Sequence, residues 1–341
     1  MGKIKRISLQ VSNGRYIIGP AVSHALKFMP NLGRREFLLT AAGTLAWAQD
    51  ATFSSRVDVV NVPVSVRDKH GRFVSDLNSE DFAVDEDGRP QSLRYFDHQG
   101  ELALTLGLLV DVSSSQINLI GTEQRASVTF FNQVLREDRD QAFLYRFYRR
   151  VEMLSHLSQS RRDLESALQG LDDPYEIEGA ATEKSRQRPA QFDGTALYDA
   201  VQVPVDTIMK MRRGRKALIL LSDGVDTASS TSLWRAIEGA QRADTLIYSL
   251  CYADRDSDRR DQARGAGVLR ALAEQTGGRY FKISREQSLD EVYSLIQDEL
   301  RNQYNLGYIP ASDGPAYRKL RVSVNRKGLT VQSRDGYYRG A

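Results

Sequence analysis

The sequence predicts an α/β protein: a doubly wound, mostly parallel sheet inserted between N- and C-terminal β-strands that form a small β-sandwich-like unit. Three observations predict it. Between residues 103 and 302, strand-like runs that are apolar throughout alternate with stretches of helical spacing, the pattern of a parallel sheet covered on both faces. On either side of that region the text reads as strands and turns instead. The chain of 341 residues, 41% hydrophobic and 27% charged, is long enough for one large core or two modest ones.

Residues 1–48 read as an export signal. They hold seven of the 47 Lys and Arg residues and one of the 44 Asp and Glu residues, leaving 40 basic against 43 acidic in the rest. "GRREFLLTAAGTLAWAQ" pairs Arg34 with Arg35, continues apolar, and ends small-x-small at Ala46-Trp47-Ala48. With Phe37 and Leu38 it resembles a twin-arginine signal. Gly33 stands where such signals usually carry Ser or Thr, and the long lead before the pair makes Met29 a second candidate start. The apolar stretch is shorter than the roughly 20 residues of a spanning helix. Export to the periplasm or beyond is therefore expected, with no transmembrane span in the mature chain. An uncleaved signal acting as a membrane anchor is the alternative.

The slightly acidic remainder offers no electrostatic footprint for nucleic acid. A single cysteine, Cys251, excludes an internal disulfide and reads as a buried thiol in "TLIYSLCYA". Residues 49–102 read as an N-terminal β unit: "RVDVVNVPVSV" alternates, "DKHGR" and "DEDGRP" are turns, and one helical turn falls near Ser79-Glu80-Asp81. In the 103–302 region the strands are "LTLGLLV", "QAFLYRFY", "RKALILLS", "TLIYSLCY" and "GRYFKIS". Leu197, Val201, Val205 and Ile208 make one helical stripe, which Pro204 should kink. Leu289, Val292, Ile296 and Leu300 make another. Residues 171–193 are polar and aperiodic, a long surface loop. Residues 303–341 return to strands, "YNLGYIP", "KLRVSV" and "LTVQSR", with "NRKG" read as a hairpin turn. These strands should complete the N-terminal β unit. The charge clusters "FYRR", "MRRGRK" and "ADRDSDRRDQARG" read as solvated loops and caps.

Doubly wound sheets bind ligands beyond the carboxyl ends of their strands, where the winding reverses. "GLLVD" ends at that edge with Asp111, and "ALILLSD" ends there with Asp223. If the two strands are neighbours, both carboxylates face one crevice. Ser113 and Ser115 share parity with Asp111, so their hydroxyls can turn to the same point. A set of carboxylate and hydroxyl oxygens suits Mg²⁺ or Mn²⁺, Ca²⁺ less well, and has nothing that singles out zinc. Taken alone, D-x-S-x-S also reads as a serine-rich loop capping the next helix. The context strengthens it, because "DGTALYDA" lies between the two strands with Thr195 at the start of a helix.

These three segments, in this order, resemble the von Willebrand factor type A domain and its metal-ion-dependent adhesion site. The resemblance implies that Asp111, Ser113 and Ser115 form the first loop of a Mg²⁺ site, Thr195 the second and Asp223 the third. It also implies that the ion docks a Glu or Asp carboxylate from a partner protein. The flanks, "VSVRDKHGRFVSDLNSEDFAVDEDGRPQ" and "LRNQYNLGYIP…RDGYY", resemble the exported VWFA-related family described mainly from acidobacteria. One position departs: that family usually reads Gly-Gly-Thr, whereas Asp193 precedes Gly194 here. A carboxylate there is expected to face solvent; the alternatives are that it strengthens metal binding or occupies the site meant for the partner's carboxylate.

The expected function is thus an exported, metal-dependent protein-binding module. A metal-free scaffold of an envelope complex and a metal-dependent hydrolase are the alternatives. An enzyme is disfavoured by the residues available. A nucleophilic Ser113 or Ser115 needs a base, and His70 falls in a turn, His98 in the linker before the α/β domain, and His156 on or after a strand away from the crevice. No G-x-S-x-G elbow and no phosphate-binding G-x-x-x-x-G-K-[ST] loop occurs. "GAGVLR" lacks the third glycine of a dinucleotide fingerprint.

Overall fold

The computed structural model describes residues 10–12, 15–17, 59–98, 102–113, 120–171, 194–252, 259–311 and 314–339. Residues 1–56 and 57–341 are separate compact units. In the first, β1 (Gln10–Ser12) pairs antiparallel with β2 (Arg15–Ile17). The Arg34-Arg35 segment, the 172–193 part of the polar loop, Ser115 and Asp193 lie outside the described residues.

In the second unit, a six-stranded sheet is built from β7 (Leu104–Asp111), β8 (Gln141–Phe147), β9 (Val151–Ser158), β10 (Arg215–Ser222), β11 (Leu246–Tyr252) and β12 (Tyr280–Ile283). Its order is β12-β11-β10-β7-β8-β9. All neighbours run parallel except β8 and β9. Every residue of β7 and of β11 is buried, which is why these strands read as unbroken apolar runs rather than alternating ones.

Side chains of alternate parity feed two cores. Leu106, Leu108 and Val110 pack with Phe130 and Phe131 of α1 (Ile120–Val134), Leu164 of α2 (Arg161–Leu168), and Val292 and Ile296 of α6 (Leu289–Arg301). On the other face, Leu109, Leu218 and Leu220 pack with Leu197, Val201 and Val205 of α3 (Leu197–Thr207). Ile237 of α4 (Leu233–Arg242) and Leu269 of α5 (Arg259–Thr276) complete that layer. Leu197, Val201 and Val205 form the buried face of α3, which ends before the half-buried Ile208, and the stripe at 289–300 is the buried face of α6; Pro204 sits inside α3, buried.

Gly107 exists because β7 is crowded on the α3 face. A Cβ there would stand 2.4 Å from Phe143 Cζ and 2.5 Å from Leu218 Cδ2. Gly107→Ala should therefore destabilise by about 1–3 kcal/mol through overpacking. Urea denaturation checks this, and a loss below about 0.5 kcal/mol would contradict the crowding argument.

The flanking strands build two antiparallel sheets. One has the order β15-β3-β13-β6, from β3 (Val60–Arg67), β6 (Leu93–Asp97), β13 (Tyr304–Tyr308) and β15 (Thr330–Gln332). The other, β16-β14-β4-β5, uses β4 (Phe82–Glu86), β5 (Arg89–Gln91), β14 (Tyr317–Val324) and β16 (Gly336–Tyr338). Val62, Val64, Phe82, Val84, Leu306 and Leu320 share one core between them. Ser79–Asp81 is a single 3₁₀ turn. In that core Glu86 accepts from Tyr337 at 2.8 Å, from Tyr308, and from the buried Arg318, so a buried charge is paired and hydrogen-bonded, as burial demands.

Two features differ from the sequence expectation. "NRKG" is not a hairpin turn: β14 pairs with β4 and β16, while β15 pairs with β3. The turn carries the chain from one sheet to the other, and local turn chemistry does not distinguish that crossing from a hairpin. The second feature is β9, which no apolar run announced. It is an edge strand with mixed burial, Met153 and His156 exposed and Ser155 buried, so polar residues interrupt its apolar ones and its pairing is decided by β8.

Candidate metal centre

The β7–β10 pairing aligns Leu221 with Val110, so Asp111 lies level with Ser222, and Asp223 is one residue beyond. The two strands that sequence reasoning needed as neighbours are neighbours. Asp111 is buried, 1% exposed. Its Oδ1 accepts from the Ser113 amide at 3.0 Å and its Oδ2 from the Ser222 hydroxyl at 2.6 Å. The same Ser222 oxygen accepts from the Gly224 amide at 3.0 Å, which links the loops after β7 and β10. Asp223 Oδ1 accepts from the Val225 amide at 3.0 Å, closing its own turn.

Thr195 is fixed by bonds of its own backbone to the loop after β10. Its amide donates to Thr227 Oγ1 at 2.9 Å, and its carbonyl accepts from the Thr227 and Ala228 amides at 3.0 and 3.1 Å. On the other side, the Ala196 amide donates to the Tyr148 carbonyl beyond β8. Gly194 makes the approach with φ +140°, a region that side chains rarely adopt, and a Cβ there would stand 3.2 Å from Ala228 Cβ.

The start of α3 has no capping side chain of its own, since Ala196 holds the N-cap position. The loop after β10 supplies the acceptors instead. Asp226 Oδ1 accepts from the Leu197 amide at 2.9 Å, and Ser229 Oγ from the Tyr198 amide at 3.0 Å. Asp199 returns the bond, accepting from the Ser230 and Thr231 amides at 2.8 and 2.9 Å. Capping by a distant loop satisfies orphan amides as a local cap would, and here it ties the Thr195 segment to the Asp223 loop. Asp226, Ser229 and Ser222 were missed at the sequence level. Only their presence in "SDGVDTASS" hinted at them, and a polar loop has too many such residues for the hint to choose.

The electrostatics are one-signed. Burial, reinforced by the Asp223 carboxylate, pushes the Asp111 carboxyl up to about 7, against the pull of its bonds from Ser222 and Ser113. Glu123, on the first turn of α1, is pushed up to about 8 by burial and then by Asp111. Among the described residues, no basic side chain is among the groups that shift either carboxyl. Among the described residues, no three His, Cys, Asp or Glu side chains converge as a metal cluster. The candidate set is two carboxylates completed by hydroxyls.

Raised carboxyls make a stability prediction. The folded chain keeps protons that the unfolded chain releases near pH ~4, so stability is full below that pH and lost as pH rises through 7 to 8. Without divalent cations the protein should be less stable at pH 8 than at pH 5 by a few kcal/mol, at about 1.4 kcal/mol for each tenfold change in proton affinity. Urea denaturation in EDTA at both pH values measures it; equal stability would contradict the buried, unpaired state of these acids.

The reversal of winding between β7 and β10, the antiparallel edge strand β9, and the three loops meeting at the reversal belong together. The α/β body is a doubly wound, Rossmann-like sheet, similar in fold to von Willebrand factor type A domains. No family model matches the sequence, and no curated protein matches it significantly. Similar solved structures include a von Willebrand factor type A protein from Catenulispora acidiphila, 12% identical, with a TM-score of 0.45, covering 76% of this chain and 73% of that one. The conserved hypothetical protein BatB from Bacteroides thetaiotaomicron is 13% identical, with a TM-score of 0.43 over 58% of this chain and 97% of that one. The vWF domain of the type V pili tip protein Mfa5 from Porphyromonas gingivalis is 12% identical, with a TM-score of 0.43 over 63% of this chain and 98% of that one. Each is a likeness of fold.

Proposed function

We propose that the type A body is a metal-dependent protein-binding module, exported from the cell, whose cation site sits at the carboxyl edge of β7 and β10. The observation that carries the reading is the buried Asp111 carboxyl at the end of β7, held by the Ser113 amide and the Ser222 hydroxyl, with Asp223 one residue beyond it on the neighbouring strand. A buried set of hard oxygen donors, carboxylate and hydroxyl, is the chemistry of a Mg²⁺ or Mn²⁺ site. Asp111, Ser113, Thr195 and Asp223 would hold the ion, with Ser115 expected to join them from outside the described residues. When bound, the cation supplies an incompletely neutralised docking point for a Glu or Asp carboxylate of the partner.

The chain's own residues prepare that point. Ser222 and the Ser113 amide orient Asp111, and the Thr227 and Asp226 bonds tie the Thr195 segment to the loop after β10 that begins at Asp223. Hydroxyl ligands leave the charge of the ion unneutralised, which favours an external carboxylate. A binding role also suits the histidines: His70 lies in an exposed turn, His98 stacks on Tyr304, and His156 is exposed on β9. No described helix is long and apolar enough to cross a membrane, and export rests on the Arg34-Arg35 segment.

Calorimetry with MgCl₂ and MnCl₂ tests the site. Binding at micromolar to millimolar concentration, together with EDTA-sensitive capture of an acidic protein from envelope extract, is expected. A folded protein that ignores both cations leaves the metal-free scaffold as the reading.

A further inference from the structure

The search for groups that the proposed site does not use leads to the α1–α6 face of the sheet, directly beneath the carboxyl edge. Glu123 is 1% exposed there, and its Oε2 has no hydrogen-bond partner among the described residues. The Tyr252 hydroxyl is buried and likewise has no partner. The β10–β11 register aligns Ser222 with Cys251, which places Tyr252 level with Asp223. Ser127, one turn after Glu123 on α1, bonds Tyr293, and Tyr252 and Tyr293 share the core of this face; the charge on Glu123 acts on both tyrosines. Asp290, at the start of α6, acts on both tyrosines and adds a further acid. Tyr293 differs from Tyr252 in being satisfied, because its hydroxyl and that of Ser127 lie 2.9 Å apart in a hydrogen bond.

Buried polar atoms without protein partners are satisfied by ordered water in folded proteins. A carboxyl and a phenol on one face behind a cation site are placed as an outer layer is placed, orienting the groups that face the ion. We propose that Glu123 is a positioning residue of the cation site: with the Tyr252 hydroxyl it holds ordered water behind Asp111 and so fixes the carboxylate that receives the ion. The inference rests on the cation reading given above. It assigns Glu123 no direct bond to the ion, consistent with the absence of a three-acid cluster among the described residues.

Calorimetric titration of the full chain with MgCl₂ at pH 7.5, for wild type, Glu123→Gln, Tyr252→Phe and Tyr293→Phe, tests this. Glu123→Gln should weaken Mg²⁺ by about tenfold or more, in the range of outer-layer partners. Tyr252→Phe should weaken it in the same direction, and Tyr293→Phe should leave it unchanged. The electron paramagnetic resonance spectrum of bound Mn²⁺ should change in Glu123→Gln, which a purely structural role would not cause. Folding is checked by circular dichroism in EDTA, and Tyr252→Phe keeps the test valid if Glu123→Gln fails to fold. If wild type binds Mg²⁺ and both variants bind within twofold of it with the wild-type Mn²⁺ spectrum, the inference is overturned and the cation reading stands. If wild type itself binds neither ion, both fall.

Discussion

Asp111→Asn is expected to weaken Mg²⁺ binding by at least about 100-fold, beyond the roughly 10–100-fold typical of outer-layer partners. The fold should survive. An amide in place of the carboxylate keeps an oxygen that can accept from the Ser113 amide or the Ser222 hydroxyl, the two bonds that now hold Asp111. It also removes a carboxyl that burial and Asp223 disfavour in its charged form. The variant without metal should therefore be as stable as wild type at pH 5 and more stable at pH 8. Asp111→Ala is the harsher change, because it strands both donors, and an unsatisfied buried donor costs about 1–3 kcal/mol. Calorimetry gives the affinity and urea denaturation at the two pH values gives the stability. An Asn variant that binds Mg²⁺ within a few-fold of wild type would remove Asp111 from the site.

The second large effect concerns what holds the α/β body against the β-sheets. Glu299, near the end of α6, is fully buried. Its carboxylate pairs with Arg67 of β3 at 2.5 Å and with Arg279 at 3.2 Å. It also accepts from the Tyr248 hydroxyl at 3.1 Å and from Gln332 of β15 at 3.3 Å. Removing one member of a buried ionic cluster typically costs about 3–5 kcal/mol, because the others stay buried and unpaired. Arg67 and Arg279 are partly exposed and can recover water, so Glu299→Ala should cost about 3 kcal/mol, the lower end. At about 2–4 °C per kcal/mol for a unit of this size or somewhat smaller, the melting temperature should fall by roughly 6–12 °C. Arg67→Ala should cost less, since the carboxylate keeps Arg279, Tyr248 and Gln332. Scanning calorimetry separates the two, and a Glu299→Ala loss below about 1 kcal/mol would show that the cluster is not what ties the layers together.

Arg334 and Arg215 support the same junction by a different means. Arg334, buried, donates to the Asn61 and Gln241 carbonyls and pairs with Asp244 at 3.0 Å. Arg215 donates to the Leu102 carbonyl at 3.1 Å and to that of Leu300. None of these links has a sequence signature. An arginine in "RKALILLS" or "QSRDGYY" reads as a surface charge until the second layer of structure arrives to bury it.

What the amino-acid order settled by itself was whatever depends on short-range pattern. Strands buried on both faces must be apolar at every position, so β7, β10 and β11 were readable, as were the 3.6-residue stripes of α3 and α6. The placement of Asp111 and Asp223 at the carboxyl ends of neighbouring strands was readable too, because a carboxylate ending an apolar run marks where the strand leaves the core. Tertiary structure alone decided the rest. β9 is a strand only because β8 offers it an edge, and "NRKG" crosses between sheets because β14 and β15 find different partners. Asp226 and Ser229 cap a helix that begins some thirty residues earlier in the chain. Glu123 is an ordinary acidic residue in the first turn of a helix until the strand ends and α6 close over it and withdraw water. Pattern fixes which surfaces must be buried; only the assembled layers fix which polar groups are buried with them.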